Sequence, residues 1–197
     1  MKSVKYVNSL SDAYIPNEDA KGFIFDKDYT GSNFENAIFD GCTMSYFKAV
    51  FCRYYYSNFR GASLKGVNAT TFRADHSLFD GANMSKSDFC GSSFAGASLV
   101  GVNASDSDFS GAQFRDADLS CINMLGSDFS GAMFNTCSFA GANINANIDN
   151  AMFIHCDFMG AEFDFTRFSK LSKVGFNGGK FNRGDRAKLE KAGAIFI

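Results

Sequence analysis

The chain has 197 residues, a formal net charge of -2, 24 Phe, one Pro and no Trp. That length holds one domain with a sizeable core, the near-neutral balance argues against a general nucleic-acid binder, and the Phe excess demands an architectural cause. No window approaches a membrane-spanning apolar run, and the opening MKSVKYVNSLSDAY lacks the core of an export signal, so a cytoplasmic location is expected.

Residues 1–21 carry no repeat. From Ile24 to Ile144 every fifth residue is apolar without a break: of these 25 positions, 21 are Ile, Leu, Met, Phe or Tyr and four are Ala (Ala49, Ala69, Ala74, Ala104). Two residues before each lies a second position, which is Gly, Ala, Ser or Cys in 19 of the 25. Where the fifth residue shrinks to Ala, the preceding position grows, to Phe47, Val67, Phe72 and Val102. Large and small exchange places while the bulk of the pair is kept, so both positions face one close-packed interior. One residue is lost within ANINANIDN, and the frame resumes at Ile148, Phe153, Phe158, Phe163 and Phe168. A strict step of five fits neither a helix nor an ordinary strand, and the phrase SDFSGA, at Ser107 and again at Ser127, adds a longer period of 20 residues.

The last segment, 171–197, contains GDRAKLEKAGAIFI, which predicts a short helix with Asp185 as N-cap and Gly193 as its stop. The tail Ala194–Ile197 is too apolar to dangle in water. It either folds back on the last coil or pairs with another copy.

Motifs for chemistry are absent. Cys42, Cys52, Cys137 and Cys156 take the small inward position, and with Cys90 and Cys121 they show no metal-ligand spacing, so free thiols and no metal are expected. His76 and His155 sit at outward positions outside any nucleophile pattern, and no phosphate-binding or dinucleotide fingerprint occurs, so neither catalysis nor a cofactor is expected. Charge carries more information. Residues 87–166 hold ten acids against one base, whereas residues 41–86 hold six bases against two acids.

The repeat resembles the pentapeptide-repeat family, whose loose motif A(D/N)LXX is matched by ADLSC, SDFSG, CDFMG and ANIDN. The resemblance implies an all-β fold: a right-handed quadrilateral β-helix solenoid over 22–170 with four pentapeptides per coil, caps at 1–21 and 171–197, and a short C-terminal α-helix in the second cap. Thirty pentapeptides would make a rod about 36 Å long at ~4.8 Å per coil. The size, the early YTGSNFENAIFDGC and the ending AKLEKAGAIFI are similar to the branch containing the Qnr quinolone-resistance proteins and MfpA, DNA-like dimeric rods that bind DNA gyrase or topoisomerase IV. Qnr coils are interrupted by projecting loops; the 25 pentapeptides here are not.

What this implies is a non-catalytic homodimer with a protein partner, no membrane association, no small-molecule substrate and no direct nucleic-acid contact. Asp88, Asp106, Asp108, Asp116, Asp118, Asp128, Asp157 and Glu162 would form the partner-binding acidic face. Leu189, Ala192, Ile195, Phe196 and Ile197 would form the dimer interface. The alternative is a scaffold or regulatory module with no topoisomerase role. A continuous acidic stripe favours the first reading and an exposed apolar or mixed patch the second.

Overall fold

The computed structural model describes residues 28–165 and 171–197. The N-terminal cap 1–21, Ile24 and the pair Thr166 and Phe168 lie outside the described residues. Within each pentapeptide, the residue between the two inward positions joins the coils. Asp88 bridges Asn68 on one side and Asp108 on the other in parallel register; Phe89 N–H donates to the Asp108 carbonyl at 2.7 Å, and Asp108 N–H to the Ser87 carbonyl at 2.9 Å. A turn follows at once. Ser92 N–H donates back to the Phe89 carbonyl at 3.1 Å, and Gly91 between them has φ 65°, the positive φ that a type II turn requires at its third residue. One bridging residue and one turn make one side, and four sides return the chain to its starting point.

Four columns of bridged residues result, one per side. The first runs Asp28, Lys48, Asn68, Asp88, Asp108, Asp128, Asn147. The second runs Asn33, Arg53, Arg73, Ser93, Gln113, Met133, Met152, Gly175, Ile195. The third passes from Ile38 through Asp118 and Asp157 to Lys180, and the fourth from Thr43 through Asn83, Asn103, Asn123 and Asn143 to Glu162. The second side holds the named strands: β1 Gln113–Arg115, β2 Met133–Asn135, β3 Met152–Ile154, β4 Gly175–Asn177 and β5 Ile195–Phe196, a parallel sheet in sequence order. This is the quadrilateral β-helix of the sequence reading.

The step along a column is 20 residues, and it shortens to 19 where one residue is lost, as in Asp128 to Asn147. It then lengthens to 23, from Met152 to Gly175 and from Asp157 to Lys180. The ladder therefore does not end at 170, where the sequence reading placed the boundary. The inward frame resumes at Leu171, Phe176 and Phe181, three residues out of phase with the frame of Phe158 and Phe163, and adds a further turn of chain. The nine levels of the second column span about 38 Å at ~4.8 Å each.

The interior is a set of ring stacks. Phe94, Phe114, Phe134, Phe153, Phe176 and Phe196 follow one another along the second side with successive centroids 5.2, 4.8, 4.8, 4.9 and 4.9 Å apart. Offset stacks at this spacing add to the burial of area on each ring. The exchanged pairs obey the same geometry: Phe47, Val67, Phe72 and Val102 are 0–2% exposed, as are the alanines that follow them. The rings expected inside are buried, except Phe163, which is only partly so. Among the described residues its column ends at Glu162.

Helix α1, Asp185–Lys191, closes the C-terminal end. Asp185 is its first residue and not its N-cap, which is Gly184 at φ 86° with no side-chain cap bond. The Asp185 carboxylate instead accepts from Asn182 Nδ2 at 3.0 Å and Lys188 Nζ at 3.3 Å. At the far end Gly193, φ 105°, turns the chain, and the tail folds back on its own rod. Ile195 N–H donates to the Val174 carbonyl at 2.8 Å and Ile197 N–H to that of Phe176 at 2.9 Å.

Candidate protein-binding surface

The outward residue that bridges the coils also holds the turn after it. Asp88 Oδ1 accepts from Cys90 N–H at 3.0 Å, and Asp108 and Asp128 accept from Ser110 and Ser130 N–H at 2.8 Å. On the fourth side Asn83, Asn103 and Asn123 accept from Ser85, Ser105 and Leu125 N–H at 3.1–3.2 Å. Asp and Asn therefore perform the same turn service. They differ in what they do along the column. The Asn side chains bond to one another, Asn123 Nδ2 to Asn103 Oδ1 at 3.4 Å and Asn143 Nδ2 to Asn123 Oδ1 at 3.1 Å. Three carboxylates in register, Asp88 to Asp108 to Asp128, repel at ~4.8 Å by about 1 kcal/mol per adjacent pair even in water.

The profile of the family described as pentapeptide repeats matches residues 75–111 and 107–145, with 8 copies, and the coils observed over those residues are the ones that family builds. Residues 75–145 carry the repeats of that family. Among solved structures, this chain is similar to full-length QnrB1, described as a plasmid-mediated fluoroquinolone resistance protein: 20% identity, TM-score 0.51, covering 88% of this chain and 90% of that one. It is also similar to a pentapeptide repeat protein from the Arabidopsis thaliana thylakoid lumen, at 22% identity and TM-score 0.43 over 67% of this chain and 90% of that one. No curated protein sequence matches it.

The eight acids singled out in the sequence do not share one face. Asp88, Asp108 and Asp128 form the ladder on the first side, and Asp106, at the corner before it with φ 56°, lies over Gly126 beside them. Asp118 and Asp157 stand on the third side, with Asp116 at its corner 3.5 Å from the Arg115 guanidinium. Asp157 is ion-paired with Lys180 at 2.8 Å, and that lysine, with the Met159 N–H, holds its carboxyl below the usual range. Glu162 ends the fourth column. The eight acids resolve into one ladder, without an ion pair among the described residues, with Asp106 beside it and a dispersed remainder.

The tail residues divide as well. Leu189 is 0% exposed, on the face that α1 buries in its own chain, and offers nothing to a second copy. Phe196 stacks on Phe176 and takes the Arg186 guanidinium 4.6 Å over its ring, and Ala192 is partly buried. Ile195 and Ile197, 55% and 75% exposed, remain outward.

Sequence reasoning missed the hydrogen-bonding role of the small inward residue. Ser57, Ser87, Ser92, Ser107 and Ser127 each donate a hydroxyl to the carbonyl 23 residues earlier, at 2.5–3.1 Å. Cys52 and Cys137 place their thiols on the same kind of carbonyl. His76 stacks on Tyr56 at 5.1 Å and lies over Gly96, and His155 lies over Gly178. Among the described residues no group of His, Cys, Asp and Glu is arranged to hold a metal, and no helix is long and apolar enough to cross a membrane.

Proposed function

We propose that this is a non-catalytic cytoplasmic protein whose rod imitates duplex DNA and binds a type II topoisomerase such as DNA gyrase, inhibiting it or shielding it from quinolones or a toxin. The observation that carries this reading is the Asp88–Asp108–Asp128 ladder. The turns could be held as well by Asn, and the fourth side holds them so, which leaves the repulsive charge in need of a use. A basic DNA-binding groove supplies one, because cations laid along the ladder relieve the repulsion. The rod length, close to one duplex turn of 34–36 Å, and the shared fold with a fluoroquinolone resistance protein support the same assignment.

A homodimer is part of the proposal, now resting on Ile195 and Ile197 and not on Leu189. Charged replacement of both isoleucines should convert a dimer to a monomer in sedimentation. A gyrase supercoiling assay tests the reading itself. The protein should alter supercoiling at low salt, and the effect should weaken with salt and in the Asp88→Asn, Asp108→Asn, Asp128→Asn triple variant. No effect of the parent, or an undiminished effect of the variant, would move the assignment to a scaffold. That second reading is favoured by one observation, the aromatic corners Tyr46, Phe51 and Tyr56, which are 71%, 63% and 58% exposed.

A further inference from the structure

The basic half of the rod carries a feature that the topoisomerase reading leaves unused. Arg53 and Arg73 are direct ladder partners on the second side, so two guanidinium-bearing residues stand ~4.8 Å apart. Lys48, Arg60, Arg115 and Lys180 each have a carboxylate within 2.8–3.5 Å. Among the described residues Arg53 and Arg73 have none. The nearest acid by sequence, Asp75, accepts from Ser93 Oγ at 2.5 Å and Ala95 N–H at 3.0 Å and acts on Arg73 through space without forming an ion pair. Like charges opposite one another in a ladder are destabilising, so an anion laid across the pair restores what the empty ladder loses.

The two arginines line a surface cavity of about 350 Å³ together with Phe51, Thr71, Gly91, Ser93 and Gln113. That volume lies at the lower end of small-molecule sites. Its parts are ordered along the rod. Phe51, 63% exposed, forms a wall at one end, with a φ of 57° like the other non-glycine corners such as Tyr46, Tyr56 and Thr71. At the same corner two coils on, Gly91 brings no side chain to the cavity. Arg73 is steadied by the Tyr55 hydroxyl, which accepts from Nη1 at 3.4 Å.

We propose that this cavity binds a small phosphate monoester bearing an aromatic group. A monoester carries about -1.5 to -2 charges at neutral pH and three terminal oxygens, which matches two guanidinium forks; a carboxylate, with one charge and two oxygens, serves only one. The aromatic group lies against Phe51. The site is independent of the acidic ladder, so its test and that of the topoisomerase reading fail separately.

The test is calorimetric titration of the full-length protein with phenyl phosphate, inorganic phosphate and benzoate. Phenyl phosphate should bind one to one and more tightly than either of the others. The Arg53→Gln, Arg73→Gln variant, with its β-helix circular dichroism unchanged, should lose at least tenfold in affinity. Phe51→Ala should reduce phenyl phosphate to the level of inorganic phosphate while leaving inorganic phosphate unaffected. Adenosine monophosphate and a phosphotyrosyl tripeptide, run in parallel, separate a free metabolite from a phosphorylated side chain by which one gains over phenyl phosphate. Absence of binding by the parent, or equal binding by the arginine variant, overturns the proposal; so does benzoate binding as tightly as phenyl phosphate. If the arginine variant does not fold, chemical-shift changes at the Arg53 and Arg73 side-chain N–H groups of the parent decide, and no change on adding phenyl phosphate refutes the site.

Discussion

The exchange of large and small residues between neighbouring inward positions can be tested by reversing it at one coil. Phe72 is fully buried, with its ring 4.7 Å from Tyr54, 5.6 Å from Phe89 and 6.2 Å from Phe94. Phe72→Ala alone should destabilise by about 3–5 kcal/mol, the range for a buried ring. Ala74→Phe alone should cost about 1–3 kcal/mol or more, because Ala74 is 0% exposed and the added ring meets Phe72. Together the two changes place a ring at 74, between Tyr54 below and Phe94 above, continuing a stack whose next interval, Phe94 to Phe114, is 5.2 Å. The double variant should therefore lose no more than about 1.5 kcal/mol, a coupling of at least about 2.5 kcal/mol between two residues of one pentapeptide. Urea denaturation followed by circular dichroism measures it. Solenoids depart from two-state behaviour, so midpoint and slope are compared across all four proteins. If the single effects simply add, the two positions do not share one volume and the packing argument is wrong.

The Asp88, Asp108 and Asp128 to Asn variant should match or exceed the parent in stability, by up to about 2 kcal/mol at low salt for two adjacent pairs, with the gain shrinking as salt rises. A clear loss of stability would show that the charge serves the fold. Tyr54 has a fully buried hydroxyl with no hydrogen-bond partner among the described residues, and burial pushes its pKa well up. Tyr54→Phe should raise stability by about 1 kcal/mol or more, since it removes an unsatisfied polar atom and keeps the ring; destabilisation would reveal a partner for that oxygen. In thiol titration Cys121, which is exposed, should react first and Cys90 more slowly, while Cys42, Cys52, Cys137 and Cys156 should wait for unfolding. Acid should act on Asp157, held low by Lys180, and on Asp80, where burial opposes but Ser98 and Arg60 prevail to hold it low. Both are depressed on folding, so their stabilisation is present above the unfolded carboxylate range near pH ~4 and is lost as pH falls through the folded values. The urea midpoint should be flat between neutrality and pH ~5 and fall below pH ~4, less steeply in Asp157→Asn; equal slopes would remove this pair from the account.

Much of the rod was legible in the sequence because its period is a packing constraint repeated at every step. The exchanged pairs were readable as pairs, and the SDFSGA phrase gave the coil. The last turn of chain was not, since a three-residue phase shift carries Leu171, Phe176 and Phe181 out of the frame that Phe153, Phe158 and Phe163 establish. Serine and cysteine at the inward position read as merely small, because their carbonyl partners lie 23 residues away and only the coil brings them together. Net charge by segment proved a coarse guide to a face, since adjacent pentapeptides point in different directions. Asp116 and Asp118 are close to Asp108 in the chain and stand on other sides of the rod. For the helix, the order Gly184–Asp185 suggested a side-chain cap, yet Asn182 and Lys188 claim that carboxylate.

The way the rod stops has a consequence for growth into fibres. Every level of a β-helix is a template for the next, with the same outline and the same unsatisfied strand groups, and a bare end invites another molecule to continue it without limit. Here α1 takes the place of the sides that would follow Asn182, and β5 offers only two residues of edge. A second molecule arriving at this end finds no coil to copy. On the homodimer proposal a second copy meets this end through Ile195 and Ile197, and two identical ends that meet face to face use each other up, so that assembly would halt at a pair.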